Sequence, residues 1–368
     1  MTAPYDVVVV GAGPVGAACA RELALAGRRV QLLEAGGEQG QAWRAAAGML
    51  APQIEAGPDD PLVELGVAAR EHYQPLADAL LETTGVDIGL WQEGIASVAV
   101  DDAHAAELRS TVAWQRQQGM VSDWLDAGEV QARWSWLRPT HGALWAPHEG
   151  ALEPEKLVRA LLADAQRLGV VLTHDRAIGL ERRGDRVDCV VGQRGRYPAG
   201  DVVVAAGAWS GLLDGLPRPL SVSPVRGQMV ALPWPKGARR AIVYRQDCYV
   251  VARGDEAIAG STMEYVGFRP EVTEEGRASI IGALSTMSSA LDPAEIRRSW
   301  SGLRPVSPDG LPILGPEPRL GGLWYSTGHG RNGILLASLS GLLVRQLLDG
   351  EPPAEDLTPF SPDRFWRW

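Results

Sequence analysis

Apolar residues fall along this chain in two rhythms. The first is the unbroken run: YDVVVV at 5–10 is β-branched to its end, the pattern of a parallel strand buried on both faces. The second is helical. AACARELALAG carries alanine and leucine at helical spacing and stops on Gly27, after which RRVQLLEAG returns to an apolar run ending at Glu34. Together these pieces predict a βαβ unit of about thirty residues.

The same two rhythms extend over the rest of the chain. Residues 61–84 predict one helix with Leu62, Leu65, Ala69, Tyr73, Leu76, Leu80 and Leu81 on a single face. Between 85 and 150 the pattern shortens to strand-like pieces, GIASVAV and GALWAP, around one helix near 101–118. EPEKLVRALLADAQRL at 153–168 predicts an amphipathic helix, and strands and a hairpin follow as far as DVVVAAGAWS at 201–210. Residues 217–305 predict mainly strands, with a helix near 273–290. GGLWYS then predicts a strand, STGHGRNG a hinge, and ILLASLSGLLVRQLL the closing helix. A Pro-rich tail completes the chain.

At 368 residues the chain exceeds the roughly 250–300 at which one core stops growing. The alternation predicts an α/β (α+β overall) architecture. A Rossmann-like nucleotide-binding domain built from 1–84, 146–214 and 301–368 would interleave with an antiparallel-sheet domain built from 85–145 and 215–300.

Composition narrows the partners. The net charge of −10 argues against nucleic acid, which wants a basic face. The three cysteines, Cys19, Cys189 and Cys248, have no metal or redox spacing and fit a reducing compartment. The apolar stretch 7–20 is too short for a membrane span, is broken by three glycines and a proline, and has no basic region before it. A cytoplasmic protein without a membrane partner is expected. Among the thirteen tryptophans, two sit in the terminal RFWRW, which reads as a surface tail.

Gly11-x-Gly13-x-x-Gly16 lies between the first strand and the first helix. In that setting Gly11 permits the tight turn, Gly13 lets backbone approach a pyrophosphate and Gly16 lets helix and strand pack closely. The helix N-terminus would face the phosphates, and Glu34 would accept from ribose hydroxyls. The fingerprint alone leaves NAD and FAD open. The strand-turn at 201–210, which delivers Gly207, and the glycine-rich hinge add two further close backbone approaches, which suits the longer FAD.

The ordered segments VVVVGAGPVGAACARELA, LLEAG, AAAGMLAPQ, DVVVAAGAWS, GLRPVSPDGLPILG and TGHGRNGILLA resemble the D-amino-acid oxidase superfamily of FAD-dependent amine oxidases, and within it the glycine oxidase (ThiO) branch. The resemblance runs from residue 5 to about 350. It implies the two-domain fold of that superfamily (DAO / GR2-type), non-covalent FAD, a small amino-acid substrate with oxygen as acceptor, and a homo-oligomer such as a tetramer. Pro14 and Val15 would meet the pyrophosphate, and Glu34 and Ala35 the ribose. Ala42, Trp43, Ala47, Gly48 and Met49 would cover the flavin, with Arg44 in the same loop reaching a phosphate or solvent, and Ala177 would hold adenine through its backbone. His329, Gly330, Arg331, Asn332, Gly333, Ile334 and Leu335 would meet the flavin ring. The implied reaction is oxidative deamination of glycine, sarcosine or small D-amino acids, supplying a glycine imine for the thiazole of thiamine.

Such a reaction asks mainly for positioning, and a buried arginine is the fitting clamp for a carboxylate. Arg304, in GLRP, matches the family's carboxylate-binding position, with Arg331 a second candidate. Tyr249 matches a pocket tyrosine, against the alternative of a strand tyrosine in the core, and Met263 would line the pocket unless it is core packing. Arg44 stands where a small hydroxyl residue is expected. Asp247, Gly330 and Ala51 also depart from the family pattern, which bears on substrate size. The alternatives are a D-amino-acid oxidase or small-amine dehydrogenase with another acceptor, and a flavin-binding module without turnover. Covalent flavin fits less well, because no cysteine lies near the C-terminal flavin motif.

Overall fold

The computed structural model describes residues 5–37, 39–55, 57–246 and 248–365. Asp247 and the tail Trp366–Trp368 therefore lie outside the described residues. Two eight-stranded sheets dominate.

The first sheet grows from the N-terminal unit. Strand Tyr5–Val10 pairs in parallel with Val30–Glu34 on one side and Arg196–Val204 on the other, with Val8 opposite Gln31 and Val202. Leu323–Thr327 extends the sheet in parallel beyond Arg196–Val204, and Val171–His174 extends it beyond Val30–Glu34. Antiparallel Ile313–Pro316 closes one edge. Val7, Val8 and Val9 are fully buried, as a run sandwiched on both faces must be. Helices Pro14–Leu25 and Gly333–Leu348 cover one side and cross closely: a Cβ on Gly341 would sit 2.7 Å from the backbone of Ala18. Cys19, at the centre of the first helix, is fully buried, and burial pushes its thiol up to about 12.

The second sheet runs in the order Arg298–Val306, Ser223–Pro233, Glu256–Gly260, Cys248–Arg253, Ile242–Arg245, Ile95–Val98, Ala143–Ala146 and Asp123–Leu125. Period-two alternation splits its side chains. Val230, Leu232, Val243 and Val250 pack one face against helix Glu274–Met287. Met229, Ala231, Tyr244, Tyr249 and Val251 form the other face, against Ala47 and Ala51.

Two expectations shift. The helix at 61–84 is two helices, Leu62–Glu71 and Tyr73–Thr84, meeting at His72. Leu65, Ala69, Tyr73, Leu76 and Leu80 are buried, while Leu81 is half exposed. The boundaries placed at 145/146 and 300/301 fall inside strands Ala143–Ala146 and Arg298–Val306, both of which belong to the second sheet. The Arg298–Val306 strand also stitches the halves together. Leu303 donates its amide to the Gly40 carbonyl at 2.8 Å, and the Pro305 carbonyl accepts from the Gly330 amide at 2.8 Å.

Candidate active site

A cavity of about 440 Å³ runs between the two sheets. One end is walled by Glu34, Ala35 and Ala177, the middle by Gly11, Gly13, Pro14, Val15 and Gly207, and the other end by Tyr249, Arg304 and Arg331.

The glycine-rich turn is built by sterics. Gly11 has φ +101°, a region that favours glycine, and a Cβ on Gly16 would lie 1.8 Å from the Gly11 carbonyl oxygen. Gly16 thus packs the turn and does not line the cavity. Glu34 is fixed in place: its carboxylate accepts from the Ala12 amide at 2.8 Å, the Gly36 amide at 3.1 Å and the Gln41 side chain at 3.0 Å. Ala42, Trp43, Ala47, Gly48 and Met49 line the cavity, as do His329, Gly330, Asn332, Gly333 and Ile334.

Of the two alternatives for Arg44 the structure has solvent, and two expected contacts, Leu335 and Met263, lie elsewhere. Arg44 turns to solvent, donating to the Gln41 side chain at 2.7 Å with its guanidinium 4.2 Å over the Trp43 ring. Stacking on its neighbour leaves it no reach into the cavity. Leu335 points into the hydrophobic core with Leu65 and Tyr73, because helical spacing turns it away from the wall held by Ile334. Met263 is 46% exposed and forms none of the wall; its sulfur lies 3.5 Å from Arg304 Nη1, so it backs the arginine from outside.

At the end with Tyr249 and Arg331, Arg304 Nη2 donates to Ser261 Oγ at 2.7 Å and Nη1 to the Thr262 carbonyl at 3.0 Å. No carboxylate pairs with Arg304 among the described residues. Burial lowers its pKa, the cost of an unneutralised charge held away from water. Gly227, across the sheet, makes its place: a Cβ there would sit 2.1 Å from Arg304 Nη1. Tyr249 is buried beside it, its hydroxyl 3.5 Å from Met229 Sδ, and its ring lies 5.4 Å from the Tyr244 ring. Burial, partly offset by the charge of Arg304, raises the Tyr249 pKa and keeps the phenol protonated.

Arg331 differs from Arg304 because its charge is answered. Its Nη2 lies 2.9 Å from Glu55 Oε1, which also accepts from the Tyr244 hydroxyl at 2.5 Å. The Glu55 charge, more than any other cause, holds the Arg331 pKa above its usual value. His329 is buried, 3.0 Å from Ser340 Oγ, and burial lowers its pKa to about 4, so the ring is neutral near pH 7. Arg253, reaching from the second sheet, donates to the Ala47 carbonyl and fastens the loop over the cavity. Sequence reading missed Glu55, Tyr244, Ser261, Gly227 and Arg253. Only Glu55 carried a signal, its place just after AAAGMLAPQ.

The wall suits FAD on structural grounds. Helices Pro14–Leu25 and Gly333–Leu348 both begin at it, and neither N-terminus is capped by a side chain. Two uncapped amide ends and their dipoles suit a diphosphate and an electron-rich ring edge.

Residues 6–347 match the family described as FAD dependent oxidoreductase (DAO). The chain is similar to the glycine oxidase of Geobacillus kaustophilus, with 35% identity over 370 residues that cover 99% of this chain and 98% of that protein. It is 32% identical to the bifunctional protein ThiO/ThiG of Synechocystis sp., covering 99% of this chain and 55% of that protein. The crystal structure of glycine oxidase from Geobacillus kaustophilus superposes with a TM-score of 0.92 over 99% of both chains at 34% identity. With the glycine-rich turn, the two helix ends and the long cavity already in place, these matches settle the family: the chain belongs to the DAO family of FAD-dependent oxidoreductases, is an enzyme of that family, and uses FAD.

Proposed function

We propose that this enzyme oxidises glycine. Glycine, oxygen and water would give glyoxylate, ammonia and hydrogen peroxide, with sarcosine and small D-amino acids as secondary substrates. The imine formed before hydrolysis would serve thiazole synthesis for thiamine, a reading supported by the ThiO/ThiG relative. The observation that carries the proposal is Arg304, oriented by Ser261 and Thr262 at the cavity wall with no carboxylate partner among the described residues.

In this reading Arg304 takes the substrate carboxylate through its planar fork, and the Tyr249 hydroxyl donates a further hydrogen bond to it. The sheet face that carries both side chains sets the distance from the carboxylate to the turn at His329–Gly333, and so directs the substrate Cα–H toward the ring position there. Pro14 and Val15 would meet the diphosphate, Glu34 the ribose, and the backbone of Gly330–Gly333 the flavin ring. Bound flavin would supply the two-electron acceptor. Tyr249 and His329, phenol and imidazole both uncharged, leave Arg304 as the unpaired charge that selects an anionic handle.

An anaerobic visible spectrum before and after glycine is the direct test. Bleaching of the oxidised flavin band is expected; a band that glycine leaves unchanged would move the substrate to another amine. Arg304→Met should keep the flavin and lower kcat/KM for glycine about 10²–10³-fold, the scale of leaving one buried charge partner unpaired. Full activity in that variant would remove Arg304 from the assignment.

A further inference from the structure

Among the described residues, the end of the cavity around Arg304 holds two guanidiniums and one carboxylate, and they are not equivalent. Among the described residues Arg304 is held by neutral groups, Ser261 Oγ, the Thr262 carbonyl and Met263 Sδ. Arg331 is bound by Glu55, and the same Glu55 oxygen is held by the Tyr244 hydroxyl. Tyr244 in turn lies against Tyr249, opposite it in the strand pair. Glu55, Arg331, Tyr249 and Arg304 all reach the cavity wall. With His329 neutral, the free charge that the described residues present to a ligand is a single positive one.

That count matches a ligand with one negative group. A second carboxylate, as on an N-carboxymethyl amino acid, would need Arg331, yet would find it already paired and would meet the like charge of Glu55. We propose that Glu55 is a specificity-determining residue: by occupying Arg331 it restricts the site to amino acids with a single anionic group and rejects N-substituted glycines with two. Tyr244 is the positioning residue that aims Glu55. The proposal rests on Arg304 as the carboxylate clamp but not on any ligand being oxidised.

Equilibrium binding to the FAD-loaded enzyme therefore tests it separately from turnover. Calorimetry would compare glycolate, with one carboxylate, and diglycolate, the unreactive analogue of iminodiacetate, with two. In Glu55→Gln, diglycolate should tighten relative to glycolate by about tenfold or more, since a like charge is removed and a guanidinium freed at contact distance. The gain should shrink as salt rises. Adding Arg331→Met to Glu55→Gln should cut it to the smaller part that comes from the removed like charge. An unchanged diglycolate-to-glycolate ratio in Glu55→Gln would overturn the proposal, as would a gain undiminished by the loss of Arg331. Turnover then reports independently: kcat/KM for iminodiacetate relative to glycine should rise in Glu55→Gln. If glycine reduces neither enzyme while the binding ratio still moves, the substrate reading fails and the role of Glu55 stands.

Discussion

Arg304 owes its place to a residue with no side chain. Gly227 sits opposite Gly302 in the paired strands, and the arginine's guanidinium fills the space a methyl would take. Gly227→Ala should push the fork off its line and cut kcat/KM for glycine about a hundredfold, the scale of a displacement near 1 Å in a positioned group. The flavin spectrum should not change, since Gly227 lies at the substrate end. A kinetically silent Gly227→Ala would mean the guanidinium does not depend on that gap. At this scale the sequence was readable where a local rule applied. Gly11, Gly13 and Glu34 were legible because a turn and a strand end dictate them. Glu55 had only its place after AAAGMLAPQ to mark it, because its meaning comes from Arg331 and Tyr244, 276 and 189 residues away.

Elements carry these residues to one place by means that periodicity does not reveal. The short helix Pro52–Glu55 brings Glu55 to the cavity, and Glu149 anchors it from beneath by accepting from the Gln53 amide and, at 3.4 Å, from the Ile54 amide. Glu149 is fully buried, and burial raises its pKa to about 8 against the opposing pull of those amides and the Arg70 charge, with the Glu55 charge adding to the rise. An acid whose folded pKa exceeds its unfolded one binds more protons when folded between the two values. Its contribution to stability is therefore full below about pH 4.5 and is lost as pH climbs toward 8. Glu149→Gln should fold, keep the amide acceptor and flatten the fall in melting temperature between those limits. An identical pH slope in the variant would show that Glu149 is already ionised when folded. The helix at 61–84 was half read. Its apolar face was visible, but the local cause of the break at His72 went unread: Pro75 has no N–H to offer the Glu71 carbonyl one turn back. Beyond the break Tyr73 donates to the Ile334 carbonyl, a contact no periodicity shows.

At the scale of the molecule, the alternation of apolar rhythms was enough to read two interleaved sheets and a nucleotide turn. It could not show which segments cross between them. Arg298–Val306 reads as a strand of either half, and the Arg253–Ala47 contact joins residues 206 positions apart. The cavity is walled by short stretches from the whole length of the chain, and the three cysteines are buried away from its wall. The cofactor should therefore leave intact when acid unfolds the protein, appearing as free FAD in the supernatant. Flavin retained on the precipitated chain would show a covalent link.

The stitching by Arg298–Val306 makes the enzyme indivisible. One strand completes the substrate-side sheet, ties down the loop at Gly40 and holds the turn at Gly330, so no cut leaves a working cofactor half and a working substrate half. Exchanging a contiguous block with a relative would carry pieces of both sites at once. Substrate preference in this architecture must change one side chain at a time, in place, against a frame that the same strand holds fixed.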